Sequence, residues 1–172
     1  MTGAQWHLTG QLEVPLPPDK AFRLFTPRGE EDWAIGWKPR FPVPANDDTA
    51  PGTVFETDNH GETTTWVVLD RVLGRRISYA RVIPRHNAGT VMVTLDEVSG
   101  NSTVTVTYKL TALTEAANEP LNEFAERYPA FLRSWQDAIE LSLTQPGSES
   151  PPRSPAETPG TPPPSTHCAG SI

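Results

Sequence analysis

The chain has 172 residues, with 14 Lys and Arg against 21 Asp and Glu, 19 prolines and one cysteine. Its length suggests one domain, and a net charge of −7 argues against nucleic acid or anionic membranes, which call for clustered Lys and Arg. One cysteine excludes an internal disulfide, and no apolar run approaches the roughly 20 residues of a membrane helix.

The opening MTGAQWHLTGQLEV lacks the basic start and apolar block of a secretory signal, so the expectation is a cytoplasmic protein with no membrane insertion. Within it Trp6, Leu8, Gly10, Leu12 and Val14 alternate with polar neighbours, the period of a half-buried strand. Pro17 and Pro18 then open a short helix that presents Ala21, Phe22, Leu24 and Phe25. A second short helix follows, with Thr26 as N-cap and Pro27 at the first position. Its Glu30, Glu31 and Asp32 read as charges favoured at the positive end of the helix dipole. Pro39, Pro42, Pro44 and Pro51 make 38–52 a loop.

Strands are predicted at 53–58, 63–71, 77–83, 90–98 and 103–110, separated by turns at Asn59-His60-Gly61, Gly74, 84–89 and Ser99-Gly100-Asn101. With the first strand these make six, and the proline-rich loop has room for a seventh. Leu121, Phe124, Tyr128, Phe131, Leu132, Trp135, Ile139 and Leu143 recur at three- and four-residue steps, one apolar helical stripe. Pro129 lies inside it, which predicts a break near Tyr128 and a main helix over 129–143.

From Pro146 the composition changes abruptly. Eight prolines and almost no large apolar residues predict a disordered tail over 146–172 behind a domain at 1–145. Pro152 with Pro155, and Pro159 with Pro162, have the PxxP spacing that any proline-rich tract yields, and His167-Cys168 is too few ligands for a metal site.

The predicted fold is α+β: an antiparallel meander with one apolar face, covered by the only long helix. A curved sheet gripping one helix leaves internal space, a natural small-molecule site. The order of elements over residues 5–143 resembles the helix-grip fold of the START-like (SRPBCC) superfamily, which includes birch-pollen-type allergens, lipid-transfer domains and polyketide cyclases. Local motifs resemble an uncharacterised bacterial group of it. They are Phe25-Thr26-Pro27-Arg28-Gly29-Glu30 followed by Trp33-Ala34-Ile35-Gly36-Trp37, then Gly52-Thr53-Val54-Phe55, and His60-Gly61 before Thr65-Trp66-Val67-Val68. Tyr79-x-Arg81-x-x-Pro84 and the Tyr128 to Trp135 spacing complete the set. Pro129 and the long tail depart from that pattern. The resemblance implies a cavity for a hydrophobic molecule and no particular reaction.

No Walker loop, GxGxxG, GxSxG, HExxH or CxxC motif occurs, so no catalytic residue, metal or cofactor is assigned. The candidate ligand-binding residues are Trp33, Trp37, His60, Trp66, Tyr79, Arg81, Phe131 and Trp135. Trp66 and Trp135 read equally as core aromatics, whereas in a helix-grip fold Trp33 and Trp37 border the cavity mouth. Arg81 shares a strand face with Ile77 and Tyr79. If that face points inward, its guanidinium needs an anionic ligand or a carboxylate such as Glu56 or Glu62; at a sheet edge its head would reach water instead. The expected function is binding of a small hydrophobic molecule, with or without a carboxylate, by a monomer or homodimer. Alternatives are an aromatase or cyclase using His60, Tyr79, Arg81 or Glu62, and a co-chaperone-like interaction module with an exposed apolar patch.

Overall fold

The computed structural model describes residues 3–145, so the tail with its PxxP spacings and His167-Cys168 lies outside the described residues. Six strands follow the alternation of the sequence: β1 (Gln5–Val14), β2 (Val54–Asn59), β3 (Glu62–Val72), β4 (Arg76–Ile83), β5 (Asn87–Val98) and β6 (Asn101–Ala112). They form one antiparallel sheet in the order β1-β6-β5-β4-β3-β2. Two of its hairpins turn on His60-Gly61 and Ser99-Gly100, where both residues have positive φ, the twist that two-residue hairpin loops require.

Two expectations about strands need correction. The proline-rich loop contributes a single bridge, Arg40 to Glu56, and no seventh strand. β5 begins at Asn87, not at Thr90, because Gly89 is not a turn residue. A Cβ there would fall 1.8 Å from the Lys109 carbonyl oxygen, so glycine marks close approach of β5 to β6.

The two short helices are single turns. α1 (Pro18–Ala21) runs into a 3-10 turn at Phe22–Phe25, and a second 3-10 turn spans Gly29–Asp32. Thr26, with extended backbone, ends the first and caps the second. Its hydroxyl donates to the Arg23 carbonyl at 2.8 Å and accepts from the Gly29 N–H at 3.1 Å.

α2 (Asn118–Thr144) is one continuous helix, so the break predicted near Tyr128 does not occur. Pro129 sits on the exposed side, where a carbonyl left without its donor can be hydrated. Burial of Leu121, Tyr128, Leu132, Trp135 and Ile139 on both sides of it offsets the roughly 3 kcal/mol that an internal proline costs. The helix lies over β1. A Cβ on Gly10 would come within 2.6 Å of Leu132 Cδ1, Trp6 Nε1 donates to Asn122 Oδ1 at 3.0 Å, and the Glu13 N–H donates to Gln136 Oε1 at 2.9 Å. Among the described residues no helix is long and apolar enough to cross a membrane.

Candidate functional site

Because α2 leans on β1, the inner face of the sheet is not sealed evenly. One end is closed by Val14, Phe25, Ile77, Leu95 and Val104, all buried. Towards the other end inward-facing positions keep accessible surface: Trp6 and Leu8 on β1, Arg81 and Ile83 on β4, with Phe124 and Phe131 on α2. These partly accessible positions make this the less closely sealed end.

Aromatic rings line the region. Trp33 meets Trp135 at 5.4 Å between ring centroids, Trp135 meets Phe131 at 5.1 Å, and Phe131 meets Tyr108 at 6.3 Å. On the sheet, Phe55 stacks on Trp66 at 5.8 Å, and Trp37 meets the same indole edge-on at 5.7 Å. Arg81 lies beside both groups, its guanidinium carbon 5.3 Å from the Trp66 ring centre and 5.9 Å from that of Tyr108.

Among these rings sit polar atoms with no partner among the described residues: Arg81 Nε, Tyr108 OH, Trp135 Nε1 and Glu30 Oε2. Enclosed polar groups are ordinarily hydrogen-bonded, and buried tryptophan and tyrosine usually find acceptors. Burial lowers the Arg81 pKa from its ordinary value, opposed by Tyr108, and pushes the Tyr108 phenol well up, opposed first by Arg81. The guanidinium nevertheless stays cationic at any ordinary pH.

Neither carboxylate proposed as its partner reaches Arg81, which corrects that expectation. Glu56 pairs with Arg40 at 3.5 Å, and Glu62 is exposed at the β2–β3 turn. The edge alternative is corrected in part: β4 lies inside the sheet between β3 and β5, yet Arg81 keeps accessible surface.

Sequence reasoning missed Tyr108, an inward-facing position of β6, and also Glu30. Taken as a surface charge at a helix start, it is 1% exposed, and burial raises its pKa well above 4.5. Its backbone is fixed from both sides: its N–H donates to the Thr26 carbonyl at 3.1 Å, and its carbonyl accepts from Ala34 at 2.8 Å. A Cβ on Gly29 would lie 1.6 Å from the Arg23 carbonyl oxygen, so only glycine lets the turn fold this tightly. The Glu30 carbonyl also accepts from the N–H of Trp33, whose ring meets Trp135, so the turn borders the same interior.

The remaining candidates are distributed as follows. Trp33, Trp37, Trp66, Tyr79 and Trp135 are buried, and Arg81 and Phe131 are partly accessible beside them. Trp33 and Trp37 donate to the carbonyls of Leu24 and Pro27, each at 2.7 Å, Trp66 donates to Thr57 Oγ1 at 3.0 Å, and Tyr79 donates to the Phe25 carbonyl at 2.8 Å. The polar atoms of these four are thus committed within the protein, unlike those of Arg81, Tyr108 and Trp135. His60 stands exposed in the β2–β3 turn, apart from the enclosed group. Of the four residues that a cyclase was expected to use, only Tyr79 and Arg81 lie inside.

No family model and no curated protein matches the sequence. Solved structures do match. An uncharacterised protein of Rhizobium leguminosarum is 15% identical, with a TM-score of 0.61 over 81% of this chain and 97% of its own. Ara h 8.0201 is 12% identical, with a TM-score of 0.61 over 83% of this chain and 100% of its own. A point mutant of norcoclaurine synthase from Thalictrum flavum, solved with a transition-state analogue, is 11% identical, with a TM-score of 0.60 over 83% and 97%. At these identities the likeness is one of fold: the chain has a helix-grip fold, a curved antiparallel sheet with a long C-terminal helix.

Proposed function

We propose that the chain binds a small, largely aromatic or apolar molecule carrying an anionic group, held between the inner face of the sheet and α2. The observation that supports this best is chemical. Arg81 Nε–H, Tyr108 O–H and Trp135 Nε1–H are three enclosed donors with no acceptor among the described residues. Three donors, one of them on a cation, match a carboxylate or similar anion, and enclosed donors are ordinarily hydrogen-bonded. The surrounding rings suit a flat apolar body, and the accessible end beside Arg81 and Phe131 is the route inward.

Extraction of the purified protein under denaturing conditions, with mass spectrometry, tests for a co-purified acid. Titration with 2-naphthoate and its neutral primary amide, followed by tryptophan fluorescence, tests the charge. The acid is expected to bind at least about 10-fold more tightly than the amide, a difference of about 1.4 kcal/mol. Arg81→Met should abolish that preference while leaving the melting temperature unchanged or higher, because it removes a buried Nε–H that has no partner among the described residues. Equal affinity for acid and amide would overturn the proposal.

A further inference from the structure

Of the other enclosed polar atoms without a partner among the described residues, the amide oxygens of Asn87 and Asn118 and Glu30 Oε2, only the last belongs to an acid. A carboxylate there would repel the anion assigned to Arg81, whereas a neutral carboxylic acid offers an O–H. Burial favours the neutral form. Glu30 does not belong to the sheet. It enters from the tight turn after α1, with a backbone that Gly29 and Thr26 hold rigid. The Glu30 carbonyl accepts from the N–H of Trp33, whose ring meets Trp135, and the rings of Trp135, Phe131 and Tyr108 lead on to Arg81, so the buried turn and Arg81 border one aromatic interior.

Resting on the reading above, we propose that Glu30 is a second recognition point, its carboxylic acid donating a hydrogen bond to a carbonyl oxygen of the molecule whose anionic end Arg81 holds. The ligand class is therefore a flat oxo-acid, anionic at one end and with a neutral acceptor elsewhere. A site that hydrogen-bonds such a group discriminates against analogues lacking it, because its own buried group is then left unpaired.

Aromatic carboxylates built on benzoate, cinnamate and 2-naphthoate frameworks, each bearing at the far end an acetyl or an ethyl group of similar volume, test this in the full-length chain. They are titrated by tryptophan fluorescence into wild type, Glu30→Gln and Glu30→Met. At the length that fits, the acetyl acid should bind wild type at least about 10-fold more tightly than the ethyl acid, the size of one hydrogen bond to a buried group. The glutamine variant, whose amide still donates, should keep a preference for the acetyl acid, and the methionine variant should bind both alike. Equal affinities in wild type at every length, or a preference surviving in Glu30→Met, would overturn this inference and leave anion binding at Arg81 standing. If no acid of the set binds, or Arg81→Met binds the acids as tightly as wild type, both readings fall together.

Discussion

Glu30 owes its place to the residue before it. Gly29→Ala would drive a Cβ into the Arg23 carbonyl, a backbone atom that cannot rotate away. The expected cost is at least about 1–3 kcal/mol in chemical denaturation, the range for overpacking a closed site. The acid itself predicts a pH dependence with a definite sign. Below about pH 4.5 both folded and unfolded chains hold the proton, and Glu30 adds no dependence. As pH rises, the unfolded chain releases the proton while the folded chain retains it, so stability falls until the raised folded value is passed. Glu30→Gln lacks this loss. Its melting temperature relative to wild type should rise from pH 4 to pH 8, and melting curves that stay parallel across that range would contradict it. The turn around Glu30 was legible: Thr26-Pro27 announces a helix start, and Thr26 does cap Gly29. Which of three successive acids turns inward was not, since all three suit a positive dipole end. The available signal was the three-residue step from Glu30 to Trp33, one turn of a 3-10 helix.

Among the secondary-structure elements, α2 carries the clearest test. Pro129 interrupts its hydrogen bonding on the exposed side only. Pro129→Ala should stabilise the fold by about 1–3 kcal/mol, less than or equal to the full cost of an internal proline, as read by urea denaturation. No gain would mean that the proline's restriction of the unfolded chain balances the lost hydrogen bond. The contact between helix and sheet is set at Gly10. Gly10→Val would press on Leu132, which is buried, and should cost about 1–3 kcal/mol. All six strands were legible from their period of two, because each buries one face only. The continuity of α2 was not, because local propensity counts the proline's cost but not the buried stripe that outweighs it.

For the molecule as a whole, the described elements end at α2, and their shared core runs from Leu12 to Ile139. A chain ending at residue 145 is expected to fold with an unchanged melting temperature; a drop of several degrees would show that the tail contributes to stability. The uneven sealing of the interior predicts how stability responds to ligand. A bound aromatic acid at 100 times its dissociation constant should stabilise the protein by about 2.7 kcal/mol, visible as a rise in melting temperature that Arg81→Met removes.

Alternation and helical period in this chain determine six strands, the last five in a meander with one apolar face, and a final helix to cover it, since both patterns are local and survive any arrangement of the elements. They also place Trp66, Tyr79 and Arg81 on that face. What they leave open is which polar groups find partners, because partners come from distant segments. Folding turned Glu56 towards Arg40, tied Tyr79 to Phe25, and left Arg81, Tyr108, Trp135 and Glu30 with enclosed atoms still unpaired. That remainder depends on where α2 and the turn after α1 come to rest against the sheet, which no residue spacing encodes.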